Sequence, residues 1–470
     1  MSFNDRTTSR PSDLLPFVQG EWIAVAVLGL AALAYGVFTL APSIVFACAL
    51  LVGGALAVVA ILRHPIFVVG LFLAIIPAQY MAVEVPRFFG VQHMTLISGA
   101  VDSTLLLATL ALWWKNGFRP TAADWFLFGF IGLGAIYVLF GATVADIKDD
   151  FMWLLPYAAG RVAFLGTARE RVWAKRAVWV AAVFSLIGMV EVLFLGPGPR
   201  TLLYTTLTDE RTLSASAWAQ GFGGLREAST MSSPLFFGAM CMVALVIWWA
   251  YSCQPVPGVI IAAGLVLSVT RSAWVAVVLA FSLLAIRMKR KKLLFGIGAA
   301  VLVVIVALGP LLGFKTNYWQ GAVSKKNSST QTHYHSISAG LTYIRDNPFG
   351  SGVGKTGWRA AQTNAAAPIY ESTYLQLTAE YGFAGLLFFL GFLSCAFYLA
   401  WRSRLTIGNT AAGVVLGFGL MMIVLIMHSD FPVACWVWFP IGLAIGRTRP
   451  GLKWVARAIK AGAGLKVRSA

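Results

Sequence analysis

Apolar runs of about 20 residues recur along almost the whole chain, and short polar stretches separate them. Each run is long enough to cross a hydrocarbon core of roughly 30 Å as a helix. Because lipid offers no partner to unsatisfied backbone groups, the pattern predicts an all-α polytopic integral membrane protein with about 12–14 transmembrane helices. The predicted spans lie near residues 21–40, 42–62, 65–83, 95–114, 125–144, 152–167, 177–196, 234–252, 258–269, 273–286, 293–314, 383–401, 410–427 and 432–446.

Two stretches depart from a simple spanning helix. The segment after Asp150 is short and carries Pro156 and Arg161, which indicates a tilted or re-entrant helix. The apolar run 258–286 is interrupted by the sequence Ser-Val-Thr-Arg-Ser at residues 268–272. A hairpin of two short helices is therefore predicted there.

The charges are few and lie mainly on one side of the predicted bundle. Only 11% of the residues are charged, against roughly 25% in soluble domains. With a cytoplasmic N-terminus, the main Lys and Arg clusters and the whole formal excess of +18 fall on the cytoplasmic side. This distribution follows the positive-inside rule and predicts that both termini are cytoplasmic. Anionic lipid head groups account for the basic surface, so no nucleic-acid partner is expected.

The pattern also divides the chain into segments. They are a cytoplasmic N-terminus (1–20), an N-terminal transmembrane bundle (21–196), an outer loop (197–233), helices that include the Arg271 hairpin (234–314), a large outer loop (315–382), C-terminal transmembrane helices (383–446) and a basic cytoplasmic tail (447–470). No signal-peptide cleavage site follows the first apolar run. In the tail, residues 452–461 favour an interfacial amphipathic helix. The outer loops are the large extramembrane pieces, so any chemistry is expected there.

The large outer loop contains the sequence GSGVGKT at residues 350–356, which looks like a nucleotide-binding loop. That motif needs a glycine, four residues and then Gly-Lys-Ser/Thr. The required first glycine would be residue 349, which is phenylalanine, and Asp-Asn-Pro precedes it where a hydrophobic strand should stand. We therefore interpret the glycines as a tight turn whose backbone approaches a diphosphate or a sugar.

Three arginines are candidate anion-binding groups. Arg271 lies at the apex of the predicted hairpin, where an intramembrane arginine should meet water or an anion because its burial in lipid is costly. A structural ion pair with Glu191 or Asp102 is the alternative. Arg161 could also extend its head group to the interface from a helix end. Arg226 lies in the first outer loop, shortly before the span that begins at residue 234.

Glu371 is the candidate proton acceptor. It precedes a predicted helical run through residues 380–382 and then a span, which puts a carboxylate near the outer membrane surface. Such a position suits acid–base chemistry on a lipid-linked substrate; the alternative is a charge that favours the helix dipole. The polar residues His333, His335, His428 and Asp430 lack metal-ligand spacing, so no metal and no cofactor is predicted.

Four motifs occur in order along residues 215–390. They are an arginine before a proline-led span (Arg226 and Pro234), a Ser-x-x-Arg-small turn (Ser268–Ala273), an Ile-x-Asp-Asn-Pro stretch rich in glycine (Ile344–Gly354), and a segment ending in Glu-x-Gly-x-x-Gly (Glu371–Gly385). This order resembles the O-antigen ligase and polymerase superfamily of bacterial envelope glycosyltransferases. Ligases have histidine, the proposed base, at the first position of the last motif, where this chain has Glu371.

The resemblance implies that a glycan moves from a polyprenyl diphosphate, usually undecaprenyl diphosphate, to an acceptor hydroxyl. The reaction would occur on the periplasmic face of the bacterial inner membrane, without a nucleotide sugar or a metal. Glu371 would take the proton, and Arg271 and Arg226 would meet the charge of the leaving diphosphate. The candidate substrate-binding residues are Arg161, His335, Lys355, Arg359, Tyr370 and Tyr374.

The leading interpretation is a polysaccharide polymerase of the O-antigen or exopolysaccharide type. The nearest alternative is a ligase that moves a finished glycan to a lipid or a protein. A transporter or flippase of lipid-linked glycan, and a scaffold of an envelope-synthesis complex, are alternatives of other classes. The expected partners are the lipid-linked oligosaccharide, the glycan acceptor and membrane lipids, with a chain-length regulator and a flippase as further candidates.

Overall fold

The computed structural model describes residues 94–139, 150–163, 165–195, 233–289, 328–357, 367–428 and 431–447, with isolated residues at 59–60, 63–64, 70, 229, 231 and 360. Every regular element in these ranges is a helix. The helices are α1 (Met94–Asn116), α2 (Ala122–Leu139), α3 (Leu154–Val162), α4 (Thr167–Val190, continued by a π-turn), α5 (Pro234–Ala250), α6 (Pro255–Leu267), α7 (Arg271–Arg287), α8 (Ser328–Asp346), α9 (Thr373–Arg402), α10 (Thr406–Val424) and α11 (Phe431–Arg447).

The helices have the length and composition of a membrane protein. Four of them in the described ranges, namely α2, α4, α9 and α10, are long and apolar enough to cross a membrane, and α5, α6 and α11 are shorter apolar helices. The protein is thus a multi-pass helical membrane protein. The total of about 12–14 spans stays a prediction, because the predicted spans 21–40, 42–62, 65–83 and 293–314 lie almost wholly outside the described residues, as do the tail and most of the first outer loop.

The interrupted apolar run folds as the predicted hairpin. Helix α6 ends at Leu267 and α7 begins at Arg271. Val269 in the turn has a positive φ of 52°. The Thr270 hydroxyl donates to the carbonyl of Pro234 over 3.0 Å, which ties the turn to the start of α5.

Helix α3 is shorter than the span predicted at 152–167. It has 9 residues, which correspond to about 14 Å of helix, too little to cross a membrane. Its glycine side lies directly on α11, since a Cβ at Gly160 would collide with the Phe439 carbonyl and one at Gly442 with the Tyr157 carbonyl. Small residues that let two backbones approach are typical of helix packing in membranes.

Helix α9 begins ten residues before the predicted span at 383–401. It contains one break, at Gly382, where φ is 66° and ψ is −171°. Glycine adopts this conformation without steric cost. The predicted outer loop 315–382 therefore contains α8 and the first turns of α9.

The side-chain contacts define two ends of the helical bundle. At one, the Arg447 end, α5, α7, α9 and α11 end, while α2, α4 and α10 begin; Arg447 contacts Glu170 there, and Arg287 donates to the Ser403 carbonyl. At the other, the Glu371 end, α5, α7, α9 and α11 begin. The charge pattern predicts that the Arg447 end faces the cytoplasm, and this orientation stays a prediction.

Candidate active site

Glu371 lies directly before the N-cap of α9, which is Ser372. Its backbone N–H donates to Oγ of Ser336, a buried residue of α8, over 2.8 Å. The side chain of Glu371 is half-buried. The carboxylate is thus held beside an outer helix that the polar sequence between residues 315 and 382 did not clearly predict.

The start of α9 is also tied to the end of α10. The Thr373 hydroxyl donates to the Leu425 carbonyl over 2.8 Å and accepts the N–H of Met427 over 3.2 Å. The Ser372 hydroxyl donates to the Met422 carbonyl over 3.3 Å. These bonds fix the backbone of Glu371 between α8 and the C-terminal turn of α10.

Arg271 is the first residue of α7 and is half-buried. In the part of the chain that the structure describes, its guanidinium has no hydrogen bond and no ion pair, so it does not pair with Glu191 or Asp102. A positive charge at a helix N-terminus is unfavourable because it adds to the positive end of the helix dipole. The same position would attract an anion through both the side chain and the dipole.

Helix α10 brings Arg271 and Glu371 to the same end of the bundle. Gly413 packs beside Leu284 and Gly417 packs beside Ala276, so α10 and α7 run antiparallel. The C-terminal turn of α10 therefore lies beside the start of α7, and the same turn holds the start of α9. A carboxylate and a cation thus flank one helix end.

The glycine-rich turn packs on α9 at its break. The N–H groups of Ser351 and Gly352 donate to the carbonyls of Ala379 and Glu380 over 2.8 and 3.1 Å. A Cβ at Gly350 would collide with the backbone at residues 380–382. Because these two amides are already bonded to α9, they are not available to a phosphate as the sequence suggested. Lys355 of the same turn is exposed.

The other candidate side chains at this end have varied surroundings. Tyr370 is buried beside Tyr343, with ring centroids 5.8 Å apart, and burial raises the pKa of its phenol. The Tyr374 hydroxyl donates to the Gly419 carbonyl over 2.8 Å. His335 is exposed on α8, next to the serine that bonds the backbone of Glu371.

Arg161 is not brought together with Glu371. It is buried near the Arg447 end, where its Nη2 lies 2.7 Å from Oδ2 of Asp124 and also donates to the Arg119 carbonyl over 2.8 Å. The residues that bond Thr373 lie in the linker between α10 and α11. Most of the length of α11, roughly 20 Å, separates Arg161 from this linker. Two further candidates, Arg226 and Arg359, lie outside the described residues.

A buried acidic pair near the turn was not recognised from the sequence. Glu380 is 1% exposed and Asp150 is 8% exposed. Thr356 donates to Glu380 over 2.9 Å, and the Tyr381 hydroxyl donates to Asp150 over 2.9 Å. The Glu-x-Gly motif contains Glu380, but nothing in the motif indicates its neighbours. Among the described residues, no group of three His, Cys, Asp or Glu side chains is placed to hold a metal ion.

Residues 256–390 match the family model described as O-antigen ligase. The match confirms the superfamily resemblance that the motifs indicated, over a stretch that contains Arg271, Glu371 and Glu380. Arg161 and Arg226 precede the matched residues. No curated protein matches the chain. The protein is therefore a multi-pass membrane protein whose residues 256–390 are similar to the O-antigen ligase family, and this similarity supports a glycan-transferring function in surface glycan biosynthesis.

Proposed function

We propose that the protein transfers an oligosaccharide from a polyprenyl diphosphate carrier to a sugar hydroxyl on the periplasmic face of the inner membrane. The observation that carries the proposal is the placement of Glu371 and Arg271 at one end of α10, within the residues that match the O-antigen ligase family. Arg271 without a described partner supports an anionic ligand at this place. The diphosphate of the carrier is such a ligand.

In the proposed reaction, the acceptor hydroxyl attacks C1 of the sugar that is bound to the diphosphate. Its proton goes to the carboxylate of Glu371, a new C1–O bond forms, and the bond from C1 to the diphosphate oxygen breaks. The leaving group then carries additional negative charge. Arg271, together with Arg226, stabilises that charge, because guanidinium groups bind phosphate oxygens in a bidentate geometry.

Among the glycan transfers of this class, we propose polymerisation of repeat units. The position where ligases have histidine is Glu371 here, which supports an enzyme other than a standard O-antigen ligase. A ligase that transfers finished glycan to a lipid or protein is the second candidate, favoured by the family description. Incubation of the purified protein with one lipid-linked repeat unit and no other acceptor separates the two. A polymerase produces a ladder of products, and a ligase produces none.

The role of Glu371 is tested by substitution in the same assay. Glu371→Gln keeps the shape but cannot accept the proton, so we expect turnover to fall by about 10²–10⁴-fold. Glu371→His supplies the base that ligases have and should retain activity. Asp346→Asn is the matched control, because this carboxylate is exposed and pairs only with Arg345 among the described residues. A transporter needs no proton acceptor at this position and would function with Glu371→Gln. Undiminished glycan transfer in that variant therefore contradicts the proposal.

A further inference from the structure

Glu380 is a carboxyl group buried among neutral and acidic neighbours. Its Oε1 accepts the hydroxyl of Thr356 over 2.9 Å. Gln376 and the carboxyl of Asp150 are its other neighbours. In the described part of the chain, no lysine or arginine forms an ion pair with Glu380. The other titratable groups near Glu380 and Asp150 are Tyr381, which lies on α9 next to Glu380, and Tyr137 of α2.

These surroundings favour the protonated form of Glu380. Burial disfavours an ionised carboxylate, and a second carboxyl nearby disfavours it further. A protonated carboxyl can accept the Thr356 hydroxyl with one oxygen and offer a proton to another acceptor with the other. An isolated buried carboxylate would be much less stable.

The hydrogen bond from Thr356 connects Glu380 to the segment that leads to Glu371. The next residue, Gly357, donates its N–H to the Pro368 carbonyl over 2.9 Å. Pro368 precedes Glu371 by only three residues. The contact at Gly357 is close, since a Cβ there would lie 2.8 Å from Nε2 of Gln376, and its φ is +83°. A displacement of Thr356 would therefore move the backbone in front of Glu371.

The backbone of the same helix turn holds the other side of the loop. Carbonyls of Ala379 and Glu380 accept the N–H groups of Ser351 and Gly352, and Phe383 donates its N–H to the Pro348 carbonyl over 3.2 Å. The turn is therefore fixed at its first half by backbone bonds. Its second half is held by the backbone bond from Gly357 to Pro368 and by the hydrogen bond from Thr356 to the side chain of Glu380.

We propose that Glu380, in its protonated form, is a positioning residue that holds Thr356 and thereby sets the place of Glu371. The inference rests on the proposed role of Glu371 as the base. Glu380 contacts neither the substrate nor the reacting atoms in this scheme; it acts through Thr356, Gly357 and Pro368.

The test compares two substitutions of Glu380. Glu380→Gln resembles the protonated acid in shape and can both accept and donate, so it should keep turnover within about threefold of the wild type at neutral pH. Glu380→Ala removes the bond to Thr356, and kcat should fall at least about tenfold with KM little changed. Thr356→Val removes the same hydrogen bond by removing the donor and leaves the carboxyl group of Glu380 in place. It keeps the inference testable if Glu380→Ala does not fold.

The pH profile of kcat gives a readout that a purely structural role would not change. Where the pH rises far enough for Glu380 to lose its proton, the wild type should lose turnover, whereas Glu380→Gln should keep its turnover over the same range. Equal loss of activity in Glu380→Gln and Glu380→Ala would overturn the inference, because it would indicate an ionised carboxylate or a bound cation.

Failure of this inference can be distinguished from failure of the proposed function. If Glu371→Gln stays active, the proposed base is wrong, whatever the Glu380 variants do. If Glu371→Gln is inactive and Glu380→Gln is inactive as well, the proposed function stands and only the positioning role fails.

Discussion

The charged groups at the two ends of the bundle differ in whether they have partners of opposite charge. At the Arg447 end, Arg161 meets Asp124 over 2.7 Å and Arg447 meets Glu170, so each of these arginines has an acidic partner. At the Glu371 end, Arg271 has no partner and Glu380 has no cation within the described ranges.

The difference separates paired arginines that stabilise the fold from Arg271, which we propose binds an anionic ligand. A buried pair contributes order and orientation, and its rupture leaves one charge uncompensated. A half-buried arginine at a helix N-terminus is unfavourable in the free protein, and binding of an anion removes that cost. Substitutions at the two ends should therefore affect different measurements, stability at one and turnover at the other.

The largest expected loss of stability is at the Arg447 end. Asp124→Ala leaves Arg161 buried without its carboxylate and should lower the free energy of unfolding by about 3–5 kcal/mol. Thermal unfolding in detergent measures this. Asp346→Ala is the control, because its ion pair with Arg345 is exposed and its loss should cost less than about 1 kcal/mol. Equal melting temperatures for the two variants would contradict the contrast between the ends.

Arg271→Ala should give the opposite pattern. We expect kcat to fall by about 10²–10³-fold, the usual effect of removing one group that stabilises developing negative charge. The free energy of unfolding should stay near that of the wild type, since no described bond is lost. Arg271→Lys keeps the charge without the bidentate geometry and should be intermediate. Glycan chains of normal length from Arg271→Ala would disprove the proposed role.

The glycine turn offers a sharper comparison within the Glu371 end. Gly350 and Gly352 both have positive φ, at 84° and 102°, but only at Gly350 would a Cβ collide with backbone. Gly350→Ala should therefore lose about 2–3 kcal/mol of stability, and Gly352→Ala about 1 kcal/mol. Turnover should fall further in Gly350→Ala, because the displaced turn precedes Glu371. Chemical denaturation and the ladder assay together measure both effects.

The smallest predicted effect concerns His428, in the linker between α10 and α11. Burial lowers its pKa from 6.5 to about 3. The unfolded chain takes up a proton below pH 6.5 while the folded protein does not, so stability falls as the pH decreases from 6.5 towards 3. Between pH 7.5 and pH 5 this amounts to about 2 kcal/mol.

His428→Phe should remove that part of the acid sensitivity, which thermal unfolding at the two pH values measures. His335→Ala is the control, because His335 is exposed and should leave the difference between the two pH values intact. An unchanged pH dependence in His428→Phe would show that another group carries it.

The sequence predicted what depends on local patterns. The apolar run broken at residues 268–272 indicated the hairpin, and α6 and α7 follow it closely. The helical run predicted after Glu371 forms the first part of α9, whereas hydropathy alone records only where the chain becomes apolar, at the predicted span 383–401. The helix starts ten residues earlier, at polar residues bonded to Leu425.

Contacts between distant residues could not be read from periodicity. Tyr381 meets Asp150 across 231 positions, and Arg161 meets Asp124 across 37. The motifs identified Glu371 and Arg271 as candidates, but the hydroxyl of Ser336 that bonds the backbone of Glu371 carries no sequence signal. Only the packing of α8 on α9 brings the two together.

The close approach of Gly350 to Gly382 has a consequence for exchanging parts between related proteins. A Cβ at Gly350 would lie 2.5 Å from the Gly382 nitrogen, and a Cβ at Gly382 would lie 2.5 Å from the carbonyl carbon of Phe349, so the turn and the helix break fit one another as a matched pair. A chimera that takes residues 346–357 from one protein and residues 371–383 from another would join surfaces that were never fitted together. The two segments form one folded interface and should therefore be transplanted together.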